Sequence, residues 1–145
     1  MQVSVREIGS SDAEALACLE RVCFDNAWST EMVAATLQRR DFCGVILHVN
    51  GECVGYVLGL SLFENAEILR IAIAPDYRKR GLGAQVLDAF IALVKKRGAR
   101  EIFLEVRESN LAAQRLYLSR AFEKFHVRER YYENGENAVE MKKTL

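Results

Sequence analysis

The amino-acid sequence predicts an α/β fold of the α+β kind, in which helices cover both faces of a mixed central β-sheet. Hydrophobic strand patterns flank Asn50-Gly51, a dipeptide that suits the type I′ turn of an antiparallel hairpin. A strand, a helix and a second strand follow one another between Ile68 and Val106, and such a unit forms a right-handed parallel crossover. Antiparallel and parallel neighbours within one sheet make that sheet mixed.

The chain before Pro75 predicts one strand, two helices and three further strands. Apolar and polar residues alternate in the first strand, whereas Ser10–Asp12 offer N-cap side chains before a helical apolar stripe. This stripe contains Leu16, Leu19 and Cys23. Pro75 ends the last strand, because proline has no amide hydrogen to donate to a neighbouring strand. The expected ranges are 3–8, 10–23, 29–37, 43–49, 52–62 and 66–74.

The chain after Pro75 predicts two helices that alternate with strands. The first helix has an apolar face, and Gly98 follows it at the C′ position, where glycine is common. That face consists of Leu82, Val86, Phe90, Leu93 and Val94. The expected ranges are 82–98 and 110–121 for the helices, and 101–106, 125–132 and 138–144 for the strands. No repeat or linker interrupts the pattern, so a single domain is expected for residues 1–145.

The composition excludes several classes of function. The 20 basic and 20 acidic side chains cancel to a net charge of zero, so no global positive field exists to hold nucleic acid. The N-terminal residues lack a signal-peptide pattern, and no apolar run approaches the ~20 residues of a membrane span. The four cysteines have neither C-x-x-C spacing nor a nearby histidine, which favours free thiols over structural zinc. We therefore expect a cytoplasmic protein without a metal, a nucleic-acid partner or a membrane partner.

A basic loop with two glycines, "RKRGLG" at 78–83, lies between a predicted strand and a predicted helix. Amides at a helix N-terminus bind phosphate, glycines let the backbone approach the anion, and three basic side chains supply charge. The loop lacks the Lys-Ser or Lys-Thr of a Walker loop, and it has too few glycines for a dinucleotide fingerprint. The residues alone leave two interpretations open, a site for a phosphate-bearing ligand and a solvated basic turn.

The same loop resembles the Arg/Gln-x-x-Gly-x-Gly/Ala motif of the GNAT family of N-acetyltransferases, including its position between a strand and a helix. The resemblance implies that acetyl-CoA is the cosubstrate and that the loop binds its pyrophosphate. It further implies that backbone groups of the preceding strand bind the pantetheine arm. The residues implied by this motif are Ile71, Ala72, Ile73, Arg78, Lys79, Arg80, Gly81, Leu82, Gly83 and Ala84.

A longer segment, "LEVRESNLAAQRLYLSRAF" at 104–122, resembles the RimI-type members of that family. The segments "AWS" at 27–29 and "RERYYENGENAVEM" at 128–141 resemble them too. Three positions depart from the RimI pattern: Ala27 replaces a proline, Ala121 a glycine and Asn137 an aspartate. The resemblance implies an enzyme that acetylates the N-terminal alanine of a small-subunit ribosomal protein, so that protein's N-terminal peptide is the expected partner.

The resemblance assigns proton transfer to two residues. Glu105 matches the RimI glutamate that takes the proton of the amine, directly or through water, and it shares a strand face with Phe103 and Arg107. Tyr117 matches the tyrosine that donates a proton to the sulfur of coenzyme A. The residues alone also allow a simpler interpretation, in which Glu105 is an ordinary charged strand residue and Tyr117 a core aromatic.

The remaining site residues are implied to bind acetyl-CoA or peptide. Asn110 matches a RimI position that contacts acetyl-CoA, and an asparagine here is also an ordinary helix N-cap. Trp28, Tyr131 and Tyr132 match parts that border the peptide cleft. The two tyrosines are predicted to be neighbours on a strand, so that one lines the cleft and the other packs inside. Two alternatives stay open: a GNAT enzyme that acetylates lysine or a small amine, and a module that senses acetyl-CoA without turnover.

Overall fold

The computed structural model describes residues 1–145 and contains seven strands, four α-helices and two short 3₁₀ helices. The strands are β1 Val3–Glu7, β2 Phe42–Val49, β3 Glu52–Leu62, β4 Asn65–Ile73, β5 Glu101–Arg107, β6 Glu123–Arg128 and β7 Ala138–Thr144. The α-helices are α1 Ala13–Cys23, α2 Thr30–Leu37, α3 Leu82–Lys96 and α4 Leu111–Ser119. The 3₁₀ helices are Ser10–Asp12 and Pro75–Tyr77. The order of strands and helices is the predicted one, and no helix combines the length and apolar character needed to cross a bilayer.

All seven strands form one sheet in the order β1-β2-β3-β4-β5-β7-β6. The β4–β5 pair is parallel because α3 crosses over between the two strands, and the other five pairs are antiparallel. Asn50 and Gly51 join β2 to β3 with φ values of 51° and 84°, as a type I′ turn requires. The mixed sheet predicted from the sequence is confirmed.

Helices cover both faces of the sheet, as predicted. On one face α1 and α2 bury Leu16, Leu19 and Val33 in a small core. On the other face α3 and α4 bury a larger core, to which α3 contributes five side chains. These are Leu82, Val86, Leu87, Phe90 and Val94, so Leu87 belongs to the buried face and Leu93 lies at its edge.

β4 and β5 separate after a short parallel ladder, and the separation makes room for a site. The ladder joins residues 65–67 to residues 101–103 and goes no further. At the same level the register between β3 and β4 shifts, and Leu69 is the extra residue of the bulge. Beyond it, residues 68–73 of β4 and 104–107 of β5 face each other without a shared ladder.

The last hairpin differs from the prediction. β6 ends at Arg128, so Tyr131 and Tyr132 lie in the β6–β7 loop (residues 129–137) and not on a strand. Arg130 has a φ of 51°, and its backbone N–H donates to Asn137 Oδ1 at 3.0 Å. This local turn ends the alternation of side chains that a strand would impose. The prediction that the two tyrosines point to opposite faces of a strand is therefore wrong.

Candidate active site

A cleft of about 970 Å³ fills the gap between β4 and β5. The separated strands, the loop before α3, helix α4, the end of α1 and the β6–β7 loop all contribute to it. The predicted site residues that line this cleft are Ile71, Ala72, Ile73, Arg78, Lys79, Gly81, Leu82, Gly83, Glu105, Asn110, Tyr117, Tyr131 and Tyr132. Three predicted site residues lie outside the lining, namely Trp28, Arg80 and Ala84.

The edge of β4 that faces the cleft suits an extended ligand. Residues 71–73 line the cleft and pair with β3 only on their other edge. A ligand with amide groups binds such an edge as an added strand would. Arg78 does not extend freely from this edge, because its Nε donates to the carbonyl oxygen of Ile73 at 2.9 Å and so holds the end of the strand.

The loop before α3 presents backbone amides to the cleft. Gly81 has a φ of 78°, and a Cβ added to it would meet no heavy atom within 4 Å. The left-handed backbone therefore favours glycine here, and the space beside it is open to a ligand. The first turn of α3 carries no acidic side chain that would repel an anion. The guanidinium carbon of Arg80 lies 5.3 Å from the centroid of the Tyr77 ring, outside the lining of the cleft, and its contact with acetyl-CoA stays a prediction.

Glu105 lies on the face of β5 that no helix covers. Its neighbours Leu104 and Val106 are buried in the core, so the alternation of the strand leaves Glu105 exposed. The Glu105 carboxylate interacts with the hydroxyl of Tyr131 and raises the pKa of that tyrosine. Glu67 on β4 is a second carboxylate of the cleft, and the sequence analysis missed it. Burial raises the pKa of Glu67, and the negative charge of Glu105 raises it further.

Tyr117 contributes a buried ring to the cleft. Only 4% of the residue is exposed, and its ring packs edge-on against Phe122 with the centroids 5.6 Å apart. Burial raises the pKa of Tyr117, so its hydroxyl keeps its proton well above neutral pH. Asn110 begins the same helix, and its Oδ1 accepts a hydrogen bond from the backbone N–H of Ala113 at 3.1 Å. The prediction that Asn110 is a helix N-cap is confirmed.

Aromatic side chains line the cleft beside Glu105. Tyr131 and Tyr132 both line it, with their rings edge to face and the centroids 5.2 Å apart. On the opposite side the cleft is bordered by the α1–α2 segment (residues 24–29). Phe24 and Asn26 of this segment line the cleft, and both Phe24 and Trp28 pack against the smaller core. The assignment of Trp28 to the peptide cleft stays a prediction, and Phe24 is an additional aromatic residue that the sequence analysis missed.

Glu20 is a buried carboxylate that the sequence analysis did not single out. None of its side chain is exposed, and Oε1 accepts hydrogen bonds from Arg70 Nη2 at 2.6 Å and from the backbone N–H of Trp28 at 2.9 Å. Oε2 accepts from Arg70 Nε at 3.2 Å and from the Tyr56 hydroxyl. Burial raises the pKa of Glu20, but these hydrogen bonds outweigh burial and hold that pKa below its usual value. The signal was available, since Glu20 stands one turn after Leu16 within the apolar stripe of α1.

A second cavity, of about 950 Å³, adjoins the cleft on the same face of the sheet as Glu105. Glu67, Leu104 and Glu105 line both cavities. The second cavity extends to the turn between β3 and β4, where Phe63 and Glu64 line it. A polymer that enters the cleft beside Glu105 would therefore have a surface along which to continue.

The cleft contains three different kinds of chemical group along its length. The amides near Gly81 suit an anion such as a pyrophosphate, and the free edge of β4 suits an extended amide-containing arm. Near the other end, Glu105 provides a carboxylate and Tyr117 a protonated hydroxyl. These two groups are the usual equipment for general base and general acid chemistry.

The comparisons with known proteins agree with this arrangement. Residues 13–122 match the model of the Acetyltransferase (GNAT) family. A protein of Escherichia coli strain K12, named ribosomal protein bS18-alanine N-acetyltransferase, is 31% identical over 129 residues, which are 89% of this chain and 86% of that protein. The Haemophilus influenzae protein of the same name is 30% identical, over 94% of this chain and 95% of its own.

Solved structures lead to the same family. The crystal structure of the ribosomal-protein-S18-alanine N-acetyltransferase from Escherichia coli superimposes with a TM-score of 0.92 and 29% identity. The superposition covers 99% of this chain and 94% of the other. The loop at Gly81 and the gap between β4 and β5 accordingly lie within a matching fold. The chain belongs to the GNAT family of acetyltransferases and is an acetyl-CoA-dependent N-acetyltransferase.

Proposed function

We propose that this enzyme acetylates the α-amino group of an N-terminal alanine on a small-subunit ribosomal protein, in the cytoplasm. Relatives from two bacteria carry names that state this activity toward ribosomal protein bS18. The observation that carries the proposal is the convergence of Glu105, Tyr117 and the Gly81 loop on one cleft that aromatic rings line beside Glu105. An end lined on two sides by aromatic rings suits the terminus of a polypeptide, which is slender and extended.

Acetyl-CoA supplies the acetyl group as an activated thioester. In the proposed arrangement the amides at residues 81–83 and the side chain of Lys79 hold its phosphate end, because all of them line the cleft at the positive end of α3. The free edge at residues 71–73 holds the extended arm. Asn110, which lines the cleft at the start of α4, contacts the same cosubstrate.

Two proton transfers complete the proposed reaction. Glu105 removes a proton from the amine as the new carbon–nitrogen bond forms, and the Tyr117 hydroxyl gives its proton to the sulfur as the carbon–sulfur bond breaks. An α-amino group has a pKa of about 8, against about 10.4 for lysine, so a carboxylate is a sufficient base for a chain terminus. The raised pKa of Tyr117 keeps the acid protonated in its resting state.

The peptide is proposed to enter between the α1–α2 segment and the β6–β7 loop. Phe24 on one side and Tyr131 and Tyr132 on the other would enclose its first residue. A lysine side chain presented by a folded surface would bring bulky neighbours against these rings. Acetylation of lysine or of a small amine is the alternative within the family, and a sensor without turnover would have no need of Glu105 and Tyr117 together.

A panel of peptides that differ only in the first residue tests the proposal. Each peptide carries an internal lysine, and mass spectrometry after incubation with acetyl-CoA locates the acetyl group. We expect the α-nitrogen of the alanine peptide to be acetylated fastest. Acetylation only at lysine would contradict the proposal. Binding of acetyl-CoA without acetylation of any peptide would contradict it too.

A further inference from the structure

Two arginines lie on the separated strands, Arg70 on β4 and Arg107 on β5. Both line the cleft. Each forms an ion pair with a glutamate from outside its own strand, and each places its guanidinium over an aromatic ring that also lines the cleft. Nothing in the acetyl-transfer chemistry described above uses either side chain.

Arg70 holds the α1–α2 segment in place. Its guanidinium carbon lies 3.9 Å from the centroid of the Phe24 ring, and its Nη2 donates to the carbonyl oxygen of Asn26 at 3.3 Å. Its partner Glu20 in turn accepts the backbone N–H of Trp28 at 2.9 Å. One side chain thereby fixes both residues of the segment that line the cleft, Phe24 and Asn26.

Arg107 does the same for the β6–β7 loop. Its guanidinium carbon lies 4.0 Å from the centroid of the Tyr132 ring, and its Nη1 donates to Glu136 Oε2 at 3.1 Å and to Asn134 Oδ1 at 3.3 Å. Glu136 Oε1 accepts the backbone N–H of Ser109 at 2.8 Å. These bonds hold the pKa of Glu136 at about 2, so the carboxylate stays charged at any pH at which the enzyme would work.

The two ion pairs differ in their exposure to solvent. The side chains of Arg70 and Glu20 are 14% and 0% exposed, whereas those of Arg107 and Glu136 are 40% and 20% exposed. Salt screens exposed pairs strongly and buried pairs weakly. A wall held by the buried pair is therefore firm, and a wall held by the exposed pair yields more readily.

We propose that Arg70 and Arg107 are positioning residues that set the width of the acceptor end of the cleft, with a firm wall at the α1–α2 segment and an adjustable wall at the β6–β7 loop. This inference rests on the proposed function, since it assumes that the acceptor enters between these two walls. It adds that acceptor affinity depends on two arginines that do not touch the reacting atoms, and that only one of the walls adapts to the acceptor.

The first test removes the firm wall's ion pair. Arg70→Gln alone would leave the Glu20 carboxylate buried without its cation, so the double variant E20Q/R70Q, which removes both charges, is the better probe. The matched control is R6Q/D12N, because Arg6 and Asp12 form a two-bond pair at 2.8 and 2.9 Å outside the cleft. The substrate is an alanine peptide without charged side chains. We expect its KM to rise about tenfold in E20Q/R70Q, while kcat and acetyl-CoA affinity change by no more than about threefold. In the control variant the peptide KM should stay unchanged.

The conservative variant R70K provides a second measurement. Lysine keeps a positive charge near Glu20 but cannot form the two-pronged bond or lie flat on Phe24, so an intermediate rise in peptide KM is expected. An unchanged peptide KM in both Arg70 variants would overturn the inference. An equal loss of acetyl-CoA affinity would overturn it too, because Arg70 would then support the whole cleft and not its acceptor end.

Amide hydrogen exchange on the wild-type enzyme tests the difference between the walls without any peptide. Trp28 and Ser109 form a matched pair, because the backbone N–H of each donates to the carboxylate partner of one arginine. We expect the Trp28 amide to exchange at least tenfold more slowly than the Ser109 amide, and 0.5 M salt to speed exchange at Ser109 only. Equal exchange rates at Trp28 and Ser109 would contradict the proposed difference between the two walls. A failure of the proposed function would leave these exchange rates as expected, and it would appear instead as absent peptide acetylation.

Discussion

The cleft has two halves that are built in different ways. The half proposed to hold acetyl-CoA comes mainly from one stretch, residues 71–83, to which α4 adds Asn110. Its characteristic contact joins Arg78 to Ile73, five residues apart. The half proposed to hold the acceptor comes from distant segments, since Arg70 and Glu20 lie 50 residues apart and Arg107 and Glu136 lie 29 apart. A half built from neighbouring residues can be identified from a sequence motif, whereas a half built from distant segments forms only when the chain folds.

The largest effect is expected where the two halves meet, at Glu105. Glu105→Gln keeps the shape of the side chain but removes the base, so kcat should fall by about 10²–10⁴ while acetyl-CoA affinity stays within a factor of about two. Glu101→Gln is the matched control, because Glu101 lies on the same face of β5 in the short ladder with β4. Steady-state kinetics with calorimetry measures both quantities. A near-normal kcat in Glu105→Gln would assign the base to another group.

The next effect concerns the acid at the same junction. Tyr117→Phe removes one hydroxyl from a buried ring, and we expect kcat to fall by about 10² with little change in either substrate's affinity. Because burial raises the pKa of Tyr117, its acid form persists as the pH rises. The wild-type kcat/KM should therefore climb about tenfold from pH 7 to pH 9, as the α-amine of pKa about 8 loses its proton, and then level off. A fall in activity between pH 9 and 10 in the stable enzyme would argue against this acid.

A substitution in the loop should break the acetyl-CoA half alone. Gly81→Val forces a branched residue into a left-handed backbone and fills the space beside the loop amides. Gly98→Val is the matched control, since Gly98 has a φ of 98° and open space around it at the other end of α3. Both variants should lose about 1–3 kcal/mol of stability, but only Gly81→Val should also lose acetyl-CoA binding, by tenfold or more in calorimetry. Equal binding by the two folded variants would remove the loop from the site.

The smallest effect lies outside both halves. Ala121 follows α4 with a φ of 65°, a conformation that costs an alanine more than a glycine. Ala121→Gly should therefore raise the free energy of unfolding by about 1 kcal/mol and the melting temperature by about 3 °C. Neither KM nor kcat should change, because Ala121 does not line the cleft. A change in peptide KM would show that the end of α4 is coupled to the acceptor half.

The success of sequence prediction follows the same division. The glycine loop, the strand before it and the N-cap at Asn110 depend on neighbours within a few residues, and the structure brings them into one cleft. Phe24 was missed because its place beside the cleft depends on a contact with Arg70, which lies on β4, far along the chain. Likewise, polar contacts form a loop between β6 and β7 where the sequence predicted the end of a strand, and no local sequence pattern predicts these contacts.

Glu20 and Glu67 show what else could have been predicted from the sequence. A glutamate inside the apolar stripe of α1 predicts a buried carboxylate that needs a cation, although not which arginine supplies it. Glu67 alternates with the buried Ala66 and Ile68, so its position on the open face was also predictable. Its proximity to Glu105 was not, because it depends on the short ladder after which β4 and β5 separate.

The central claim is that the acceptor half selects a chain terminus, and a direct competition measures it. One peptide begins with alanine and has no lysine, and the other has the same sequence with a blocked terminus and a single lysine. Both are mixed with the enzyme and acetyl-CoA at pH 7, and the two products are quantified by mass. We predict that the α-amine is acetylated at least a hundredfold faster, since roughly a tenth of α-amines but fewer than a thousandth of lysines are neutral at this pH. Equal or faster acetylation of lysine would contradict the claim.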